Sequence, residues 1–248
     1  MEIKKQFEPA YTSVTVSLAE GESIRAEGGA MMSHSPHVKM ETQMRDKSVL
    51  KSLKVMVLGA ETFFLNKFTA TNGPGDVTLA PAFPGDITTI DLNGNGYIIQ
   101  SGSYMASENG VDIDTKWQGL KGILAEGDLF FLHATGNGNV LIASFGGMEA
   151  FQLNKGEEYI VDSGHLVAFE DSIQYDVELV KGLKSIAFSG EGLICRMRGP
   201  GWVITQSRSV GSFISWLMPY LPKQSTKMNE RGDAAALAGS MIGRRMGI

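Results

Sequence analysis

Histidines are the first residues in this chain to test for chemistry, because imidazole is the commonest metal ligand and a frequent general base. The chain has four histidines, namely His34, His37, His133 and His165. A cupin-type metal site needs a His-x-His pair with a downstream glutamate and a further histidine, and the sequence contains no His-x-His. We therefore interpret His34 and His37 as turn histidines and His165 as a hydrogen-bonded strand histidine.

Three carboxylates recur at equivalent places along the chain, at Glu41, Asp114 and Asp176. Oxygen ligands suit calcium and magnesium, so a ring of these residues near a common axis would bind a divalent cation or a basic partner. Far from such an axis they are three separate surface charges, which the alternation of polar and apolar residues along a strand already explains. We favour surface charges, and this ring is the candidate metal site if a metal binds.

Cys195 and two neighbouring arginines complete the set of reactive side chains. Cys195 lies in the apolar run "GLICRMRG" with no base beside it in sequence, which indicates a buried, inert thiol rather than a nucleophile. Arg196 and Arg198 share one strand face, where they could meet an anion but are expected to be solvated or salt-bridged. A Gly-Lys-Ser/Thr phosphate loop does not occur. The residues thus indicate no catalytic residue, no cofactor-binding residue and no cofactor.

The elements that carry these side chains repeat three times in sequence. Aligned on a glycine, the repeats contain "GESIRAEGGAMM" from Gly21, "GNGYIIQSGSYM" from Gly94 and "GEEYIVDSGHLV" from Gly156. Each repeat has a second glycine eight residues later and a Gly-x-Gly further on. Glycine at such places supplies a positive φ or a close backbone approach, so we assign these columns to turns and bulges. The further aligned glycines are Gly29, Gly102 and Gly164, then Gly73 and Gly75, Gly136 and Gly138, and Gly190 and Gly192.

Between the glycines the repeats alternate apolar with polar residues, as half-buried strands do. The aligned apolar positions are Val38, Val111 and Ile173, followed two residues later by Met40, Ile113 and Tyr175. The polar positions between and after them are Lys39, Asp112 and Gln174, then Glu41, Asp114 and Asp176.

This pattern predicts an all-β chain of three β-rich lobes closed around a pseudo-threefold axis, of the barrel or double-stranded β-helix type. We predict one domain over residues 1–209, made of repeats at about 10–86, 87–148 and 149–209. The matched insertions "KSLKVMVLGAE" and "QGLKGILAEGD" resemble short apolar helices or arms. Exposed elements of that kind are candidate subunit contacts, so we expect a homo-oligomer, with a trimer among the options.

The chain ends in two segments of different character. "VGSFISWLMPYLP" predicts a short apolar helix over 210–222, which we expect to dock on its own domain. Contact of the Trp216 segment with a membrane surface is the less favoured alternative. Residues 223–248 are rich in small and charged residues and are expected to form a flexible tail.

The composition limits which binding partners and which cellular compartment are expected for this protein. The formal net charge of -5 disfavours nucleic acid as a partner. The single cysteine fits a reducing compartment, and the N-terminus lacks the apolar region of a signal peptide. No run of 18 apolar residues is present. We therefore expect a cytoplasmic protein.

Several longer segments carry a family resemblance. They are "ETFFLNKFTATNGPGDVTLAPAFPGDI", "GDLFFLHATGNGNVLIASFGG", "VDSGHLVAF" and "GEGLICRMRGPGWVITQS". From about Phe7 to Ser207 the chain is similar to the mitochondrial biogenesis family named for altered inheritance of mitochondria protein twenty-four. The resemblance implies a β fold related to the tryptophan RNA-binding attenuation protein, in a family of undefined activity whose eukaryotic members are associated with mitochondrial inner-membrane organisation.

Taken together, these observations favour a non-enzymatic assembly or interaction module that associates with itself through the apolar insertions. The main alternative is a small-ligand-dependent or metal-dependent enzyme with a pocket between lobes. RNA binding by analogy of fold is a weaker alternative, which the acidic charge disfavours.

Overall fold

The computed structural model describes residues 1–43, 65–114, 131–179 and 193–221. These residues are mostly β strand, with one short helix near their C-terminal end. Both apolar insertions and residues 223–248 lie outside the described residues, so the predictions for them remain predictions.

The strands are numbered in chain order. The first is β1, Glu2–Gln6. The first repeat holds β2 Ser13–Leu18, β3 Ser23–Glu27, β4 Met31–His34, β5 Val38–Gln43, β6 Leu65–Ala70 and β7 Gly75–Leu79. The second holds β8 Ile87–Asn93, β9 Tyr97–Gln100, β10 Tyr104–Glu108, β11 Val111–Asp114 and β12 Phe131–Ala143. The third holds β13 Met148–Leu153, β14 Glu158–Asp162, β15 Leu166–Glu170, β16 Gln174–Leu179, β17 Leu193–Arg198 and β18 Gly201–Gln206. The helix α1 is Val210–Leu217, and 3-10 turns occupy Ser101–Ser103, Ser163–His165 and Met218–Tyr220.

The three repeats share one pattern of strand pairing. In the first repeat the sixth strand, β7, pairs with the first and third strands, and the fifth strand, β6, pairs with the second and fourth. Strands β13–β18 of the third repeat pair in the same way. In the second repeat the long strand β12 fills both roles: residues 131–136 pair with β9 and β11, and residues 137–143 pair with β8 and β10. The backbone ladders therefore follow the sequence repeats.

Two further ladders join successive repeats. Strand β3 of the first repeat pairs with β10 of the second, and β9 of the second pairs with β15 of the third. They produce an eleven-stranded sheet, and the remaining described strands form a four-stranded sheet, β1-β2-β7-β4, and a three-stranded sheet, β14-β17-β16.

The expected closure of the lobes into a barrel is wrong for the described strands, which form no closed barrel. Among them, no ladder connects the third repeat to the first. Closure depends on the angle between successive repeats, and an alternation of apolar and polar residues does not encode that angle.

The first glycine of each repeat forms the same turn before the second strand. Its φ is 84° at Gly21, 90° at Gly94 and 89° at Gly156. A Cβ at any of the three would meet no atom within 4 Å, so the left-handed backbone rather than lack of space requires glycine here. This confirms the assignment of that glycine column to backbone geometry.

The apolar core has three clusters, and the first two are each completed by the following repeat. The first cluster surrounds Phe68 and includes Met105 and Leu141 of the second repeat. The second cluster likewise includes Val167 and Ile204 of the third repeat. In the described structure, every member of the third cluster comes from the second or third repeat.

The predicted alternation is confirmed at most positions. Val38, Val111, Ile173 and Ile113 are buried, and the polar residues between them are exposed. Met40 is an exception, with 45% of its surface exposed. It lies on β5, which pairs only with β6 among the described strands and forms an edge of the eleven-stranded sheet.

Truncating the centre of the first cluster should test the core assignment. Phe68 is fully buried, so Phe68→Ala is expected to lower the free energy of unfolding by about 3–5 kcal/mol. The exposed aromatic Tyr11, with 74% of its surface in solvent, is the matched control, and Tyr11→Ala should change it by about 0.5 kcal/mol or less. Urea denaturation measures both, and equal losses in the two variants would contradict this assignment.

Candidate interaction surface

The three carboxylates of the candidate metal ring lie on the fourth strand of their repeats. Glu41 Oε1 lies 2.7 Å from Lys39 Nζ, and this hydrogen bond holds the pKa of Glu41 below its usual value. Asp176 accepts a hydrogen bond of 2.7 Å from Arg198 Nη1. Asp114 ends β11 and is exposed. Within the described residues, no group of three or more histidine, cysteine, aspartate or glutamate side chains is placed to hold a metal ion.

Two arginines on β17 form an ion-pair network with carboxylates of the neighbouring strands. Arg196 contacts Glu158 and donates from Nε to Glu178 Oε1 at 3.2 Å, while Arg198 donates from Nε to Glu158 Oε2 at 3.0 Å. A hydrogen bond from Arg196 and, to a smaller extent, one from Arg198 hold the pKa of Glu158 below its usual value. Of the two alternatives for Arg196 and Arg198, solvated or salt-bridged, the structure shows the salt-bridged one. Because these side chains are partly exposed, solvent weakens the electrostatic attraction within the network.

Three of the histidines lie within hydrogen-bond distance of a polar group. His165 Nδ1 lies 2.7 Å from the carbonyl of Gln206, to which it must donate. His165 belongs to a 3-10 turn rather than the predicted strand, because the chain bends at Gly164, whose N–H donates to the side chain of Asp162. His34 lies 2.9 Å from the Ser35 carbonyl, and His133 Nε2 lies 3.1 Å from Asp171 Oδ2. The fourth, His37, is exposed in the turn before β5.

Cys195 is buried, as the sequence predicts. Only 3% of its surface is exposed, and it packs in the third cluster. Burial, and to a smaller degree the nearby charge of Asp162, raises the pKa of the Cys195 thiol to about 11. The thiolate is the reactive form of cysteine, so this thiol is protonated and unreactive at neutral pH.

A thiol reagent should show this protection. Ellman's reagent is expected to modify Cys195 far more slowly in the native protein than in guanidinium chloride, because both burial and protonation oppose the reaction. The control is a variant that combines Cys195→Ser with Lys39→Cys, since the Lys39 side chain is 63% exposed. Equal native rates for wild type and control would contradict the protected state.

A shallow depression lies between the loops after β7 and β12. The residues lining it include Phe83, Gln100, Phe145 and Gln206, and none carries a charge. The Gln206 amide is already engaged, because its oxygen accepts from the Phe145 N–H and its nitrogen donates to the Gly164 carbonyl. The rings of Phe83 and Phe145 lie 5.1 Å apart. This depression offers apolar contact rather than groups for catalysis.

Two sheet edges expose large apolar side chains. On β4, Met31 is 38% exposed and Met32 is 64% exposed. On β14, Tyr159 is 55% exposed and Ile160 is 50% exposed. Each strand pairs with one neighbour in the described structure, so its other backbone edge is open as well. The sequence does not single out these residues, because an apolar residue type does not show whether a neighbouring strand covers it.

The segment from Val210 to Leu221 is also apolar and exposed. It contains no charged residue, and none of the residues of α1 is buried. The rings of Trp216 and Tyr220 lie 5.6 Å apart. No helix within the described residues has the length and apolar character needed to cross a bilayer. The first compact unit of the chain comprises Met1–Phe213, and the described residues after it belong to a second. The exposed apolar residues of the segment are Phe213, Ile214, Trp216, Met218, Tyr220 and Leu221.

The repeated ladders define the class: a β-rich protein whose described strands follow one pairing pattern in three consecutive repeats. The family follows from residues 4–208, which match the model for mitochondrial biogenesis AIM24. This chain belongs to that family, as the sequence resemblance indicated.

Streptococcal proteins are among its relatives. An uncharacterized protein of Streptococcus pyogenes serotype M6 is 27% identical over 222 residues, covering 87% of this chain and 89% of the relative. The crystal structure of a Streptococcus pyogenes protein matches with a TM-score of 0.75 and 25% identity, covering 89% of this chain and 99% of the other.

Proposed function

We propose that the protein is a non-enzymatic interaction module that associates with itself and presents surfaces to protein partners. The observation that carries the proposal is the exposure of large apolar side chains along two open strand edges, β4 and β14. An open edge with apolar side chains is a template for pairing with another chain, and proteins that remain monomeric normally protect such edges.

The family is compatible with this proposal, since its members have no defined activity. As part of it, the three repeats derive from one β unit and share the architecture of the tryptophan RNA-binding attenuation protein. The common pairing order and the matching φ values at Gly21, Gly94 and Gly156 support a common unit. The proposal places the module in the cytoplasm, consistent with its single cysteine.

The competing functions have less support. Cys195 is buried and protonated, and Arg196 and Arg198 are paired with carboxylates, so these residues favour a structural role over an enzyme's pocket. The net charge of -5 disfavours RNA. The apolar insertions remain candidate contacts, although Leu53 and Ile123 lie outside the described residues.

Native mass tests self-association directly. Light scattering of the intact chain over a range of concentrations should give a multiple of the single-chain mass. Leu53→Asp and Ile123→Asp should each lower that mass if the insertions contribute, because burying an unpaired carboxylate at a contact is unfavourable. A single-chain mass for the wild type at every concentration would end the proposal. An unchanged oligomer in both variants would show that the insertions do not contribute to the contact, and self-association itself would still stand.

Contact with a membrane surface is a second candidate function. It is favoured by one observation: the uncharged segment from Val210 to Leu221 exposes Trp216 and Tyr220, residues that are enriched at membrane interfaces.

Vesicle co-sedimentation tests the second candidate. The wild type should bind vesicles of phosphatidylcholine and phosphatidylglycerol, and Trp216→Ala should weaken binding about tenfold or more, given ~1.5–3 kcal/mol for burying a large apolar side chain. Trp202→Ala is the control, because Trp202 lies on β18 and is 39% exposed. Wild type that stays in the supernatant, or equal losses in both variants, would count against membrane contact.

A further inference from the structure

The two junctions between repeats use one register. At the first, Ser107 of β10 lies opposite Arg25 of β3, and at the second, Phe169 of β15 lies opposite Ile98 of β9. In each case the residue five positions after the second glycine of one repeat faces the residue four positions after the first glycine of the preceding repeat. The second strand of one repeat and the third strand of the next are therefore complementary edges.

One edge of each kind is left over. Strand β4 is the third strand of the first repeat, and it pairs only with β7 among the described strands. Strand β14 is the second strand of the third repeat, and it pairs only with β17. The four-stranded and three-stranded sheets are thus two halves of a junction of the kind that the chain already forms twice.

Side-chain exposure on β14 identifies what this half-junction lacks. Tyr97 and Tyr159 are the same residue at the same repeat position, but Tyr97 is 8% exposed and Tyr159 is 55% exposed. At the next position Ile98 is 1% exposed and Ile160 is 50% exposed. Tyr97 also donates from its hydroxyl to Glu170 of the adjoining repeat at 3.2 Å. The adjoining third strand is the difference between the two environments.

Strand β4 shows the same contrast. Met32 and Met105 are both methionines at one repeat position, with exposures of 64% and 1%, and Val167 at that position in the third repeat is fully buried. Met31 is 38% exposed, while its equivalent Tyr104 is 1% exposed. Met105 packs in the first cluster, which belongs mainly to the preceding repeat. Met32 is the same apolar residue as Met105, which fills the core at the first junction. Among the described residues no repeat precedes the first, so Met32 has no such core to pack into.

The third cluster is the core that Met32 would complete. The first two clusters each contain residues of the following repeat. Every described member of the third cluster comes from the third repeat or the one before it. Within one molecule, β4 and β14 share no ladder. A second copy of this chain carries the required strand, register and apolar side chains together.

We propose that β14 of one molecule pairs antiparallel with β4 of a second, in the register of the two internal junctions. Ile160 then lies opposite His34, Val161 opposite Ser33, and Tyr159 opposite Ser35. The contact joins unlike surfaces, so each added molecule presents a new free edge until a ring closes or a filament forms. This interface rests on the self-association proposed above and specifies where it occurs.

Cysteine pairing across the predicted register tests the interface. Directly opposed residues in antiparallel strands have Cα atoms about 4.5–5.5 Å apart, which suits a disulfide. His34→Cys protein and Ile160→Cys protein, carrying different tags and mixed under mild oxidation, should give a two-chain product with both tags that reductant removes. The control replaces His34→Cys with Met40→Cys, since Met40 is 45% exposed on another sheet edge and should give only background linkage.

The double variant His34→Cys with Ile160→Cys distinguishes pairing between molecules from closure within one. Covalent oligomers support the proposal, whereas an internal disulfide in a single-chain species overturns it. Linkage of the mixed proteins no greater than that of the Met40→Cys control also overturns it.

A charge on the edge gives an independent measurement. Ile160→Asp should reduce the native mass, because the carboxylate would be buried in the contact, while Met40→Asp should leave it unchanged. Far-UV circular dichroism confirms that both variants are folded. A wild-type oligomer that Ile160→Asp leaves intact overturns this interface but not self-association, whereas a wild type that is a single chain at every concentration ends both.

Discussion

The structure depends on the antiparallel ladder between the second strand of one repeat and the third strand of the next. This ladder satisfies backbone groups that would otherwise form open edges, and it brings apolar residues of two repeats into one cluster. Side chains reinforce it: Arg25 of β3 reaches across the first junction and donates to the carbonyls of Glu108 and Val111. A single repeat has two groups of paired strands. Its apolar core is complete only when a neighbouring repeat supplies further strands.

Much of the fold was predictable because local patterns decide it. The first aligned glycine of each repeat indicated a turn that the backbone confirms, and alternation placed Val38, Val111 and Ile113 in the core. The sequence failed where the outcome depends on neighbours rather than on the residue itself. Met40 has the pattern of a core residue but lies on a sheet edge, and closure into a barrel was expected where the described strands leave β4 and β14 as open edges.

The candidate site was harder to predict for the same reason. Glu41, Asp114 and Asp176 are equivalent in sequence, and each lies on the fourth strand of its repeat, but equivalence does not give the distance between them. Met32 and Tyr159 were missed because a residue type suited to a core gives no sign that its partner strand is absent. A signal was present: Met32 aligns with Met105 and Tyr159 with Tyr97, so comparing the same position across repeats, once burial is known, identifies the exposed members.

The continuous strand β12 distinguishes the second repeat from the two outer repeats. In the first and third repeats a short connection separates the fifth and sixth strands, whereas Phe131–Ala143 passes through both roles as one 13-residue strand. Its two halves are hydrogen-bonded to four other strands of the same repeat. One unbroken strand therefore joins both groups of ladders in the second repeat, and Gly136 and Gly138, with φ values of 101° and 127°, lie where it passes from one group to the other.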